Sequence, residues 1–202
     1  VFQFYVTVSV GNNNASARFV PMIGAPYARP DGPAPDSDVA VDPAGVSVYA
    51  LTGLPATMAA GATASLSIAA RDAYGNLVTS YAGQARITSS DAQAVLPANP
   101  TFAGGTVSGV AVTLKTSGTQ TVTATDSASP GINVSATTSV SAGAAATYSL
   151  AGLAPTATAG SAVTFTVTAR DQYGNVASGY AGPARVTSSD AQAALPSNPA
   201  FT

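Results

Sequence analysis

An all-β fold, built from short antiparallel strands in two repeated units, is what this sequence predicts, and three observations predict it. The first is a repeat. Arg71-Asp72-Ala73-Tyr74-Gly75-Asn76 returns as Arg170-Asp171-Gln172-Tyr173-Gly174-Asn175, about 99 positions later, and the run Thr88 to Ala94 returns intact as Thr187 to Ala193. The second is composition. Every acidic residue is Asp, Lys115 is the sole lysine, and Thr, Ser, Val, Ala and Gly dominate. Glu and Lys, both good helix formers, are absent or nearly so, while the abundant Thr and Val fit strands. The third is alternation: Ala64, Leu66, Ile68 and Ala70 interleave with Ser65, Ser67 and Ala69, the period-2 pattern of a strand with one face in a core.

The elements follow in chain order. Residues 1 to 10 alternate, with Phe2, Phe4, Val6, Val8 and Val10 on one face. Gly11 to Asn14 supplies a turn, and Ala15 to Val20 returns as a hairpin partner. Gly24 to Asp38, with four prolines, reads as a linker or long loop. Residues 1–45 are therefore expected to be the tail of a preceding β domain plus a Pro-rich linker.

Strands are then expected at Val46 to Leu51, Ala64 to Ala70, Leu77 to Tyr81 (short), Ala85 to Ser89, Thr106 to Leu114, Thr119 to Thr125 and Asn133 to Val140. About seven short strands in about 100 residues, punctuated by turns, predict an immunoglobulin-like β-sandwich, with a closed barrel as the competitor. Residues 46–143 form one complete unit. Residues 144–202 match its first half and are expected to be a truncated second unit. The linker Ser141 to Ala146 is too short to let the units fold back side by side, so they are expected roughly end to end.

Composition narrows the functions. There are no cysteines and no histidines, which removes disulfides, thiolate sites, His-based metal sites and Ser-His-Asp triads. A formal net charge of −2 with seven basic residues provides no footprint for nucleic acid or an anionic membrane. No apolar run approaches the roughly 20 residues of a spanning helix. No paired-carboxylate site is indicated. The expectation is a chain with no catalytic, cofactor-binding or metal-binding residues and no cofactor, whose partners are neighbouring repeats and an unidentified surface or matrix ligand.

The Asp72-Ala73-Tyr74-Gly75-Asn76 stretch permits two readings. Its Asp and Asn oxygens are hard calcium ligands, but calcium takes six to eight ligands and the motif offers two or three. In the favoured reading it is a turn closing a strand, with the Asp72 carboxylate accepting backbone N–H bonds and Tyr74 capping the core at the sandwich end. Ser89-Ser90-Asp91 reads likewise as a strand end satisfied by its own hydroxyl and carboxylate groups. Arg71 and Arg86 are expected near Asp72 or Asp91 as exposed pairs of little energetic value. Asn14 and Asn133 begin formal glycosylation sequons.

The stretch Gly160 to Asn175, the Ala184-Arg185-Val186-Thr187-Ser188-Ser189 strand, and Thr116 to Asp126 resemble the bacterial immunoglobulin-like repeats of the invasin and intimin group. The resemblance spans residues 46–202. It implies a spacer of stacked sandwiches in an exported, cell-surface or secreted adhesin-like protein, with no catalytic residues to carry over. The chain departs from better-known members in lacking cysteine and tryptophan, and residues 1–45 lie outside the pattern. The alternatives are a non-catalytic accessory module of a secreted hydrolase, and a sugar- or calcium-binding module.

Overall fold

The computed structural model describes residues 44–197 and 199–201. The expected strand at 1–10, its hairpin, the Pro-rich linker and the Asn14 sequon lie outside the described residues.

Seven strands make the first unit: β1 (Val48–Thr52), β2 (Thr57–Ala59), β3 (Thr63–Arg71), β4 (Ala85–Ser89), β5 (Thr106–Thr113), β6 (Gly118–Asp126) and β7 (Asn133–Ser141). They form two sheets, one in the order β1-β3-β5 and one in the order β2-β7-β6-β4. Their inner faces meet in one core, the architecture of an immunoglobulin-like sandwich. No helix occurs among the described residues.

The alternation in β3 does what period-2 patterning requires. Ala64, Leu66, Ile68 and Ala70 are buried, and Leu66 is 0 % exposed. Across the sandwich β6 turns Val122 and Ala124 inward. Both ends of that inward face are polar, Gln120 and Asp126, and both are buried with partners. Gln120 accepts from the Ser90 hydroxyl at 2.6 Å and donates to the Thr116 carbonyl at 3.1 Å, so its burial leaves no unpaired amide. In β5 the pairing steps from Leu66↔Val110 to Ile68↔Val107. The extra residue is absorbed beside Gly109, whose φ of 71° is open to glycine and strained for other residues.

Two expectations are corrected. Leu77 to Tyr81 is not a strand: Leu77 makes one isolated bridge to Arg71, Val78 turns into the core, and the Tyr81 N–H bonds back to the Val78 carbonyl. The seventh strand is instead β2, which pairs in parallel with β7 in the register Thr57↔Ser139. Three residues between Pro55 and Gly61 carry no periodicity, so only the neighbouring β7 defines this strand.

The second unit repeats the first strand pair. β8 (Thr147–Ala151) pairs with β9 (Thr166–Arg170). Val48↔Arg71 in the first unit becomes Thr147↔Arg170 in the second, a shift of 99 positions on both strands.

Candidate functional site

Carboxylates define three places in the first unit where chemistry would be sought, and each is engaged by the protein itself. Asp72, at the end of β3, is buried. Its Oδ1 accepts the N–H groups of Tyr74 (2.9 Å) and Asn76 (2.8 Å). Its Oδ2 accepts the Asn76 side-chain amide (3.0 Å) and the backbone N–H of Ala44 (3.2 Å). Burial works to raise the carboxyl pKa, but these donors, led by Asn76, outweigh it and hold the group below its usual range. Four N–H groups occupy the lone pairs that a calcium ion would need. Arg71 also avoids the carboxylate, donating instead to the Gly75 carbonyl at 2.6 Å.

Asp91 follows the end of β4. It accepts from the backbone N–H of Gln93 (2.9 Å), Lys115 (2.6 Å) and Thr116 (2.9 Å) and from the Thr116 hydroxyl (2.6 Å). The carboxylate thus pins the turn between β5 and β6. Burial again pushes upward, and the Thr116 hydroxyl with the three amides outweighs it, bringing the pKa down to about 2.

Asp126 ends β6 and meets two tyrosines. The Tyr49 hydroxyl donates to Asp126 Oδ2 at 3.1 Å, Tyr81 donates to the same oxygen, and the two phenols lie 2.7 Å apart. Phe102 closes the cluster, its ring 4.9 Å from both tyrosine rings between centroids. Burial, followed by the Tyr81 hydrogen bond, raises the Tyr49 pKa well above that of a free phenol. Two phenols, Tyr49 buried and Tyr81 partly buried, that stay protonated and hold a carboxylate make a core cap.

This cluster corrects the expectation for Tyr74, which is 85 % exposed and caps nothing in its own unit. The Tyr74 N–H is bound to Asp72 and Gly75 turns at φ 87°, which aims the ring away from the sandwich. Sequence reasoning missed the real cap because Tyr49, Tyr81 and Asp126 lie up to 77 positions apart. The signal that points to it is the recurrence of Tyr49, Tyr81 and Phe102 as Tyr148, Tyr180 and Phe201, with the two phenols again 2.7 Å apart.

The remaining sequence candidates are unremarkable. Arg86 lies on β4 opposite Thr125, and Asn133 opens β7 with its amide on the carbonyls of Pro130 (3.2 Å) and Gly131 (3.3 Å). Among the described residues, no cluster of three or more metal-ligating side chains forms and no helix is long and apolar enough to cross a membrane.

The Asp-x-Tyr-Gly-Asn turn does more than end a strand. Asp72 Oδ2 binds the N–H of Ala44, just ahead of the first unit, and Asp171 Oδ2 binds the N–H of Gly143, in the linker ahead of the second, at 2.9 Å. Each unit therefore fastens the chain that leads into it.

No protein-family model matches the chain, and no curated protein matches its sequence. Among solved structures it is similar to the Escherichia coli adhesin FdeC, at 22 % identity and a TM-score of 0.46, over 70 % of this chain and 46 % of that one. It is also similar to domains 5-6 of the S-layer protein SbsC, at 23 % identity and a TM-score of 0.38, over 65 % of each chain. The chain thus spans less than two thirds of either protein chain. At these identities the likeness concerns the β architecture alone.

Proposed function

We propose that this chain is part of a structural spacer, a series of immunoglobulin-like units of the invasin and intimin kind in an exported bacterial surface protein, holding a functional module away from the cell. The observation that carries the reading is the repetition, 99 positions apart, of one fastening: an aspartate in the turn that follows β3, and its equivalent after β9, holds the backbone that enters its unit. Such a device serves a chain of units in series, because it limits the swing of each linker without needing a ligand. The engagement of Asp72, Asp91, Asp126 and Asp171 by donors of the chain itself supports a non-catalytic role.

In this reading the working parameter is length, and the partners are the flanking units. Small-angle X-ray scattering tests it on the full chain and on versions carrying one or two further copies of the repeat. Nine-residue strands such as β3 span about 30 Å, so the maximum dimension is expected to rise by about 30 Å or more per copy. A dimension that stays constant as copies are added overturns the spacer reading.

A further inference from the structure

The same turn stands in two environments within this chain. In the first unit Tyr74 and Asn76 are exposed; in the second, Tyr173 is half-buried and Asn175 is 8 % exposed. What covers the second turn is the far end of the first unit. Asn175 Oδ1 accepts the Ser117 N–H at 2.8 Å, and its Nδ2 donates to the Lys115 carbonyl at 2.7 Å while keeping its bond to Asp171 at 2.8 Å. One side-chain amide thereby reads a backbone N–H and C=O pair across the joint, as a neighbouring strand would. Tyr173 lies beneath the Lys115 ammonium, 5.8 Å from the ring centroid, and its hydroxyl end packs on Gly61. A side chain at Gly61 would run into that phenol, whereas the equivalent Gly160 faces open space.

We infer that the Tyr-Gly-Asn turn is a docking element, and that Gly61 with the Lys115 to Ser117 turn is its receptor, so that each unit seats on the far end of the one before it at a fixed angle. The partner the receptor fits is the Tyr-Gly-Asn turn of another unit of this same repeat. Recognition has three parts. Gly61 leaves room for the phenol, the Lys115 ammonium faces its ring, and the backbone of Lys115 and Ser117 pairs with the amide. Asp91 completes the receptor from behind, because its bonds to the N–H groups of Lys115 and Thr116 set the orientation of that backbone. The joint therefore has two fastenings, Asp171 on the linker and Asn175 on the preceding unit. A single covalent linker leaves relative motion as the default between units, and the second fastening removes it.

The inference refines the spacer reading and rests on it only for its biological use. The absence of native cysteine makes the test clean: spin labels are attached to the full chain through Ser67→Cys in the first unit and Ser178→Cys in the second, both exposed positions. The distance distribution between them is then measured by pulsed electron resonance. The parent is expected to show one narrow distance. Gly61→Ala and Tyr173→Ala are expected to broaden it about two-fold or more, toward a freely jointed pair.

Gly160→Ala and Tyr74→Ala are the matched controls, since Gly61 (φ 85°) and Gly160 (φ 77°) share the same backbone strain and the two tyrosines share the same turn. Both controls are expected to leave the distribution unchanged. A parent distribution that is already broad overturns the inference, and so does equal behaviour of the variants and their controls. Neither result bears on whether the maximum dimension grows with copy number, so the docking and spacer readings fail separately.

Discussion

Replacing Asp91 by asparagine removes one charge and nothing of size, which makes it the sharpest probe of what holds the first unit closed. Asp91 is 4 % exposed and its two oxygens accept four hydrogen bonds from the Gln93 N–H, the Lys115 N–H and both the N–H and hydroxyl of Thr116. An amide offers one acceptor oxygen in place of two and turns an NH2 group toward donors. Hydrogen bonds to a charged group contribute about 1.5 to 3 kcal/mol each, and they are not additive, so a loss of about 2 to 4 kcal/mol is expected.

Proton linkage supplies an independent figure. The pKa is about 2 in the folded chain, against about 3.9 for an unfolded aspartate, a difference equivalent to about 2 kcal/mol after allowance for solvent screening. Because the folded pKa is the lower one, this stability is complete well above pH 4 and is lost as pH falls through 2, with about half remaining at pH 3. Urea unfolding followed by far-ultraviolet circular dichroism at pH 7 and pH 3 measures it. The gap between parent and Asp91→Asn should be about 2 kcal/mol or more at pH 7 and should shrink by about half at pH 3. A gap that is the same at both values would refute the charge argument and assign the loss to packing.

Three further outcomes are expected. Leu66→Asp should abolish the cooperative unfolding of the first unit, because it removes about 1.5 to 3 kcal/mol of apolar burial and places a charge in the centre of the core; an unchanged melting midpoint would overturn the facing of β3. Tyr49→Phe should cost about 1 to 2 kcal/mol by leaving Asp126 one donor short. Since the Tyr49 pKa is raised on folding, stability held through that phenol is present below about pH 10 and lost above it. Parent and Tyr49→Phe should therefore converge in alkaline urea titrations, and a constant gap would contradict the assignment. Millimolar calcium should leave the melting temperature of the chain unchanged, because N–H donors already occupy the Asp72 oxygens; a calcium-dependent rise would restore the metal reading.

Features with a short-range cause were legible in the sequence. Alternation along Ala64, Leu66, Ile68 and Ala70 assigns the inward face of β3, because successive side chains of a strand must point to opposite sides. The Asp72 turn was legible for the same reason, since its donors at Tyr74 and Asn76 lie two and four residues away. The 99-residue shift carried the β1 and β3 pairing onto β8 and β9 without loss of register.

Tertiary structure decided what depends on distant neighbours. β2 exists because β7 lies beside it, and the core cap assembles Tyr49, Tyr81, Phe102 and Asp126 from four separate segments. The fate of the repeated motif shows the division most directly. Tyr74 and Tyr173 occupy the same letter of the same turn, and nothing within either motif distinguishes an exposed ring from one seated on Gly61. Sequence determines the shape of the turn through local hydrogen bonds, while burial is set by whatever surface the chain brings against it.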